Sequence, residues 1–417
     1  MWMMRWMLIG GVTLFLMTGT FSDSEARSSR SIRRPARVVS ETRSLRSIRR
    51  APPKAGAPAP AVAAHPPLPA RRTFQAVLLQ DADTGRILFA QNSDKQWPAA
   101  SLTKMMVALL TLEEVARGRL SLRTPVIISK RASRAGGRTI NLRPGERFSL
   151  EELLQAMLVT SANDAAVAVA ERLKGSVEAC VKTMNQRAQE LGMERTRYQT
   201  VNGMPPTKGT PPDISSAADM AILARALLRH PQILEWTSLN RIPFRAGRVM
   251  LPNTNHLIGK VAGVNGLKTG YTNKARFNLV TTAQRDQMRL IAVVMGGQSS
   301  RIRFRIATDL LEWGFTHFIR LQPIKSDKPD GAEARVEHGS GSMLQPVTAR
   351  DVILLMRKGE GEDVQVPLRL PTVIAAPIFR YQVLREMAVH NGKQVSATIP
   401  TLSPWDIPEA YWFPVQQ

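Results

Sequence analysis

Residues 27–72 carry twelve Lys or Arg against a single acid, Glu41, so almost half of the chain's formal charge of +24 sits in one short stretch. Proline and alanine fill most of the remainder, and Ser-Ile-Arg-Arg occurs twice, at Ser31–Arg34 and Ser47–Arg50. Like charges repel, prolines block helix and little is available to bury, so the segment is expected to be an extended linker. Folding is thereby confined to residues from Thr73 onward. Ahead of the linker, residues 1–26 read as an export signal: Arg5 supplies positive charge, Trp6 to Met17 form an apolar run, and Ser24-Glu25-Ala26 offers a small-x-small cleavage site. A retained membrane anchor is the alternative, but Trp6 to Phe21 is shorter than the ~20 residues that span a bilayer. For an exported chain, a basic linker suits anionic lipid headgroups or acidic envelope polymer better than nucleic acid. A solvated spacer accounts for the same composition.

Of the 417 residues, 43% are hydrophobic, enough for a sizeable core in one large domain or two. Cys180 is the one cysteine, which excludes an internal disulfide framework, a four-cysteine zinc site and a CxxC redox pair. It is expected to be a buried small hydrophobe in a helix. None of the six histidines is spaced HxH or HExxH, which argues against a histidine-built metal centre.

Three short motifs carry chemistry. Phe74–Leu79 and Ile87–Ala90 flank Asp83-Thr84-Gly85 and predict a hairpin. Behind it, Ser101-Leu102-Thr103-Lys104 opens an apolar, helically spaced run to Val115. Residues i and i+3 share a helix face, so Lys104 can reach the Ser101 hydroxyl. A serine becomes nucleophilic when a neighbouring base takes its proton, and a buried lysine can be that base. Read alone, Ser101 is only a helix cap. Further on, Leu150 to Glu171 reads as two helical runs joined at Thr160–Asn163, a break that lets Ser161 and Asn163 project into a cleft; Ser161 is otherwise a cap for the second run. The third motif is Val264 to Thr272, in which Gly266 and Gly270 bracket Lys268 and Thr269, followed by β-rich runs at Phe277–Thr282 and Arg289–Met295 with a turn near Asp286. A cation, a hydroxyl and an open backbone suit a substrate ending in carboxylate. The bland reading is an edge strand with an exposed lysine.

SxxK, SxN and KTG in that order form the signature set of penicillin-recognising serine enzymes. The chain closely resembles the low-molecular-mass penicillin-binding proteins that act as D-alanyl-D-alanine carboxypeptidases, over about Ala76 to Phe318, through Leu142–Glu146, Asn202-Gly203-Met204, Ser215–Asp219 and Leu310–Phe315 as well. The resemblance implies an α/β (α+β) serine β-lactamase/DD-peptidase-like fold with an antiparallel sheet flanked by helices, spanning 73–321. It implies Ser101 as nucleophile, Lys104 as its base, Ser161 as proton relay and Asn163 as a contact to substrate backbone. Lys268, Thr269 and Gly270 would receive the terminal carboxylate together with Arg303, although Arg301 and Arg305 compete for that place. The backbone N–H groups of Ser101 and Tyr271 would form the oxyanion hole. No cofactor is implied. The implied substrate is a peptidoglycan stem peptide, and β-lactams are implied as covalent inhibitors. One departure stands out: Ala275-Arg276 replaces the family's Ala-Gly. Relatives suggest two rivals, a DD-endopeptidase with the same residues and a β-lactamase, whose Glu-x-x-Leu-Asn is approached only by Glu235-Trp-Thr-Ser-Leu239-Asn240, one residue too long. A non-catalytic envelope-binding protein is the rival from another class.

Residues 322–342 read as a boundary. Beyond it the β-prone runs Val352–Met356, Val364–Leu370 and Val383–Val389, with Asn391-Gly392 as a hairpin turn toward Val395–Ile399, predict a small C-terminal β-sandwich over 322–417. Arg380-Tyr381 and Arg385-Glu386 stand where the family usually has glycines. Pro404, Pro408 and Pro414 preclude a continuous amphipathic helix at the end, and Trp405, Tyr411, Trp412 and Phe413 are expected to pack on the β domain.

Overall fold

The computed structural model describes residues 65–205, 209–324, 326, 333–341, 343–349, 351–359, 364–365, 373–391 and 394–410. Residues 1–26, expected to be an export signal, residues 27–64 of the expected linker, residues 366–370 and Tyr411, Trp412 and Phe413 lie outside them. Packing begins ahead of Thr73: Pro66 is buried, Leu68 leans on the core, and the His65 ring meets Phe89 edge-on at 6.1 Å.

A five-stranded antiparallel sheet organises the fold. Its strands are β1 (Ala76–Asp81), β2 (Ile87–Gln91), β3 (Val264–Thr272), β4 (Arg276–Arg285) and β5 (Met288–Gly297), in the order β2-β1-β5-β4-β3. The predicted hairpin is β1–β2, closed by Asp81, whose Oδ1 accepts from the Thr84 backbone N–H at 2.7 Å and from its hydroxyl at 2.6 Å. Side chains alternate across a strand, and both faces of this sheet are covered. On β5, Leu290, Ala292 and Val294 join one apolar cluster, while Ile291, Val293 and Met295 join the other. A sheet buried on both sides needs unbroken apolar strands, which is why these runs lack the polar alternation of a half-exposed sheet.

One face is covered by α5 (Ser300–His317), through Ile306, Leu310, Leu311 and Trp313. The other carries the larger helical layer, including α1 (Lys104–Ala116), α2 (Asn163–Lys174), α3 (Val177–Glu190) and α4 (Ala217–Leu227). Cys180 on α3 is fully buried there, and burial pushes its thiol up to about 12, as a small inert hydrophobe should be. Serine caps open α3, α4 and α5: Ser176, Ser216 and Ser299 accept from the N–H groups of Ala179, Asp219 and Ile302. Neither α1 nor α2 has a side-chain cap.

Residues 318–410 contribute only strands among those described. β6 (Phe318–Ile324) runs across the boundary expected at 322 and pairs with Val352–Arg357. A three-stranded and a four-stranded sheet follow, with a small core of Val336, Leu344, Ala376, Ile378 and Ile407. The Asn391 hairpin forms as expected, pairing Val383–Asn391 with Gln394–Leu402. Trp405 is 46% exposed, so its ring is not packed away as the sequence suggested.

The α5–sheet contact is tight enough to test. A Cβ on Gly314 would stand 2.6 Å from Leu290 Cδ1 and 2.9 Å from Leu79 Cδ2, both on fully buried leucines. Alanine normally favours a helix over glycine by about 1 kcal/mol, whereas overpacking a filled core costs about 1–3 kcal/mol. Gly314→Ala is therefore expected to lower the thermal midpoint, measured by calorimetry, instead of raising it.

Candidate active site

The first motif does not start the α-helix directly. Ala100–Thr103 form a 3₁₀ turn that leads into Lys104, the first residue of α1. The Ser101 hydroxyl therefore caps nothing and is left for other partners. It accepts from Lys104 Nζ at 2.8 Å, and both groups point at the Asn202 carbonyl, which accepts from Nζ at 2.7 Å and from the serine at 3.4 Å. Two buried features hold this turn in place. Gly203 has φ +84°, and a Cβ there would fall 2.0 Å from the Ala100 carbonyl oxygen, so only glycine allows the approach. Asn278 on β4 donates through Nδ2 to the carbonyls of Pro98 and Ala99 at 2.8 and 3.1 Å, fixing the turn to the sheet.

Lys104 is wholly buried, and burial lowers its pKa to about 7, against the opposing pull of Asp213 and Asp164. Asp213 contributes no direct ion pair. Its carboxylate accepts from Thr103 Oγ1, the Gln199 and Thr200 N–H groups and Thr200 Oγ1, at 2.6–2.9 Å, while burial pushes its own pKa upward. An amine of lowered pKa 2.8 Å from a hydroxyl has the geometry a general base needs.

The second motif follows the helix Leu150–Gln155, which continues as a π-helical turn through Thr160. Ser161 then takes a left-handed conformation, φ +69°, and Ala162 precedes α2. That reversal is what frees Ser161 from capping. Both it and Asn163 are buried. Asn163 Nδ2 donates to the Gly136 carbonyl at 2.6 Å, and its Oδ1 is buried without a partner among the described residues. An unsatisfied buried acceptor costs about 1–3 kcal/mol and is expected where a ligand will supply the donor.

The third motif lies on β3, which is an edge strand as the bland reading required, but Lys268 is buried, not exposed. Its Nζ donates to the Thr269 carbonyl at 2.7 Å. Burial lowers its pKa far below the ordinary lysine value, helped by Lys104, Arg303 and Arg138, so every charge acting on it is positive. Thr269 Oγ1 donates to Thr254 Oγ1 at 2.8 Å. Gly270 is the close approach to the first motif: a Cβ there would stand 3.3 Å from the Ser101 nitrogen. The SxxK turn and the KTG strand thus share one crevice.

Arg303, on α5, is the buried arginine of the three rivals. Its guanidinium donates to the carbonyls of Gly270 and Asn278 at 3.2 and 3.1 Å, lies over Phe304 and Phe277, and has its pKa lowered to about 10 by burial. Arg301 and Arg305 are exposed, and Arg305 pairs with Asp309 at 3.6 Å. Tyr271 is half exposed, its hydroxyl held by Asn273 at 2.9 Å and its ring against Phe277, while its backbone remains in the β3–β4 ladder. Arg276 has φ +57° and an exposed side chain, so glycine's usual presence there answers a conformational need. Glu235 is exposed on the helix Gln232–Thr237, not buried as a carboxylate that activates a water beside Ser101 would be.

Three groups that the motifs did not reveal complete the site. The Asn202 carbonyl was visible as part of Asn-Gly-Met but had no assigned chemistry. Asp213 follows Pro211-Pro212 without any motif, and Asn278 is one of several polar residues in its strand.

Comparison with known proteins identifies the family. Residues 61–299 match the model of the family described as Peptidase_S11, D-alanyl-D-alanine carboxypeptidase. The D-alanyl-D-alanine carboxypeptidase DacF of Bacillus subtilis is 33% identical over 340 residues, covering 81% of this chain and 86% of that protein. Penicillin-binding protein 5 from Haemophilus influenzae superposes with a TM-score of 0.69 at 29% identity, covering 85% of this chain and all of that one. Penicillin-binding protein D2 from Listeria monocytogenes, solved in an ampicillin-bound form, superposes with a TM-score of 0.53 at 33% identity, over 58% of this chain and 97% of that one.

The lysine supplies the test. A neutral amine can accept a proton and an ammonium cannot, so acylation of Ser101 by a fluorescent serine-reactive probe should rise about tenfold per pH unit below about 7 and level off above it. Lys104→Met should abolish the rise, and a profile still climbing at pH 9–10 would contradict a lysine of this pKa.

Proposed function

This chain belongs to the D-alanyl-D-alanine carboxypeptidase family of serine peptidases, and from that premise we propose how its residues divide the work. Ser101 Oγ attacks the carbonyl carbon of the penultimate D-alanine of a peptidoglycan stem peptide, and neutral Lys104 takes the hydroxyl proton. The tetrahedral oxyanion is met by the backbone N–H groups of Ser101 and Tyr271. The proton travels through Ser161 to the nitrogen of the terminal D-alanine, that C–N bond breaks, and D-alanine leaves. Water then hydrolyses the Ser101 ester and returns the hydroxyl. Asn163 takes up a donor from the peptide backbone at its buried, unpartnered Oδ1. Lys268, Thr269 and Arg303 hold the terminal carboxylate, with Gly270 keeping the strand open to it.

The observation that carries this reading is the pairing of opposite needs in one crevice. Lys104 beside Ser101 is disposed to lose its proton, whereas Lys268 and Arg303 form a cationic pocket. An arriving carboxylate favours the charged form of Lys268, against the pull of burial.

A β-lactam presents the same carboxylate and a strained amide, and its acyl group would remain on Ser101. The chain acts in the cell envelope on this reading, with residues 1–26 as its export signal, residues 27–64 as a basic linker ahead of the packing that begins at Pro66, and the strands from Phe318 onward as part of an accessory β domain.

The parent enzyme is expected to release D-alanine from a stem pentapeptide and to retain a fluorescent penicillin, and Ser101→Ala to lose both. Lys268→Ala should raise KM by about tenfold or more, since a charge-assisted hydrogen bond contributes about 1.5–3 kcal/mol. Rapid turnover of the penicillin without D-alanine release would instead mark a lactamase.

A further inference from the structure

The turn Asn253-Thr254-Asn255, ahead of β3, is fixed by its two asparagines. Asn253 Nδ2 donates to the carbonyls of Thr237 and Leu239 at 3.0 and 2.9 Å, and its Oδ1 accepts from the Asn255 N–H at 2.8 Å. Asn255 is buried, and its Nδ2 donates to the Gly266 carbonyl at 2.8 Å and to Thr281 Oγ1 at 3.2 Å. Its Oδ1 accepts from the Leu257 N–H at 3.2 Å. Every polar atom of both amides is engaged in holding the turn, and the residue held between them is Thr254.

Thr254 joins the second motif to the third. Its backbone N–H and its hydroxyl both donate to the Val159 carbonyl, at 3.0 and 3.2 Å, in the π-helical turn that leads into Ser161. Its oxygen accepts from Thr269 Oγ1 at 2.8 Å. Thr269 is 5% exposed, so water has little access to that hydroxyl. The one proton of Thr269 is thus spent on Thr254. A carboxylate brings acceptors and no proton, and Thr269 can serve it only by turning that proton away.

We propose that Thr254 is a positioning residue for the substrate's terminal carboxylate, backing the Thr269 hydroxyl when it turns to that group. The inference rests on the carboxypeptidase reading above, in which Thr269 meets the carboxylate. The exchange needs no displacement of either oxygen. Thr254 turns its own proton from Val159, whose carbonyl keeps the Thr254 N–H, onto Thr269 Oγ1 across the same 2.8 Å. The chain of hydroxyls reverses direction, and each still donates once and accepts once. A hydroxyl that accepts a hydrogen bond donates a stronger one, so Thr254 strengthens the grip on the carboxylate without touching it.

The test measures acylation of Ser101 by a penicillin and by its methyl ester, which keeps the strained amide and lacks the carboxylate. D-Alanine release from a stem pentapeptide is followed alongside. Thr254→Val is expected to slow acylation by the penicillin about fivefold and by the ester less than about twofold. It should lower kcat/KM for D-alanine release about fivefold, mainly through KM. Thr254→Ser keeps the hydroxyl and should stay near the parent throughout. Thr269→Val should lose more than Thr254→Val on the penicillin, and the double variant no more than Thr269→Val, because Thr254 acts through Thr269. Equal losses on penicillin and ester would overturn the proposal, since Thr254 would then only brace the Ser161 turn. So would a double variant whose losses multiply, or a Thr254→Val enzyme as fast as the parent. A parent that is acylated by the penicillin but releases no D-alanine would overturn the carboxypeptidase reading instead.

Discussion

The 2.8 Å contact between Lys104 Nζ and Ser101 Oγ is the interaction on which the rest depends, and it has consequence only because the lysine is buried. In water that amine is an ammonium at neutral pH and cannot take a proton. Lowering its pKa to about 7 disfavours the charged form by roughly 5 kcal/mol, at 1.36 kcal/mol per unit. The two nearby carboxylates oppose that shift, and neither touches the amine. Asp213 is saturated by Thr103, Gln199 and Thr200, while Asp164 holds the Ile140 loop. Desolvation wins because both acids are occupied elsewhere.

The sheet turns that local chemistry into a site. Asn278 of β4 grips the turn ahead of Ser101 through Nδ2 and accepts from the Gly296 N–H of β5 through Oδ1, so one side chain ties the Ser101 turn to the middle of the sheet. On the next strand Gly270 comes up against the backbone of the Ser101 turn, and Arg303 reaches the Gly270 carbonyl from α5. Residues more than 160 positions apart are thus held by two side chains and a glycine.

Much of this could be read from the chain, and the exceptions have physical causes. Strongly apolar β1 and β5 and the turns near Gly85 and Asp286 were legible because a doubly covered sheet favours long apolar runs. The three motifs were legible as an ordered set, whereas each serine taken singly looked like a cap. Only the 3₁₀ turn at Ala100–Thr103 and the left-handed Ser161 show that neither caps. Asp213, Asn278 and the Asn202 carbonyl were hidden because their importance lies in burial and in partners far along the chain. Arg303 was separable from Arg301 and Arg305 only by which helix face meets the sheet. The start of packing at Pro66 was missed because proline and alanine in a basic context resemble linker, and the exposure of Trp405 because an aromatic near a β domain is ordinarily buried.

The claim at the centre is that Lys104 is a neutral amine when Ser101 needs a base. The most direct measurement is a 13C titration of lysine labelled at Cε, with Lys104 assigned by comparison with Lys104→Arg. The account predicts that this resonance titrates near pH 7 in the folded protein and returns to the ordinary lysine range on unfolding. A resonance that stays in its ammonium form above pH 9 in the folded enzyme would contradict it.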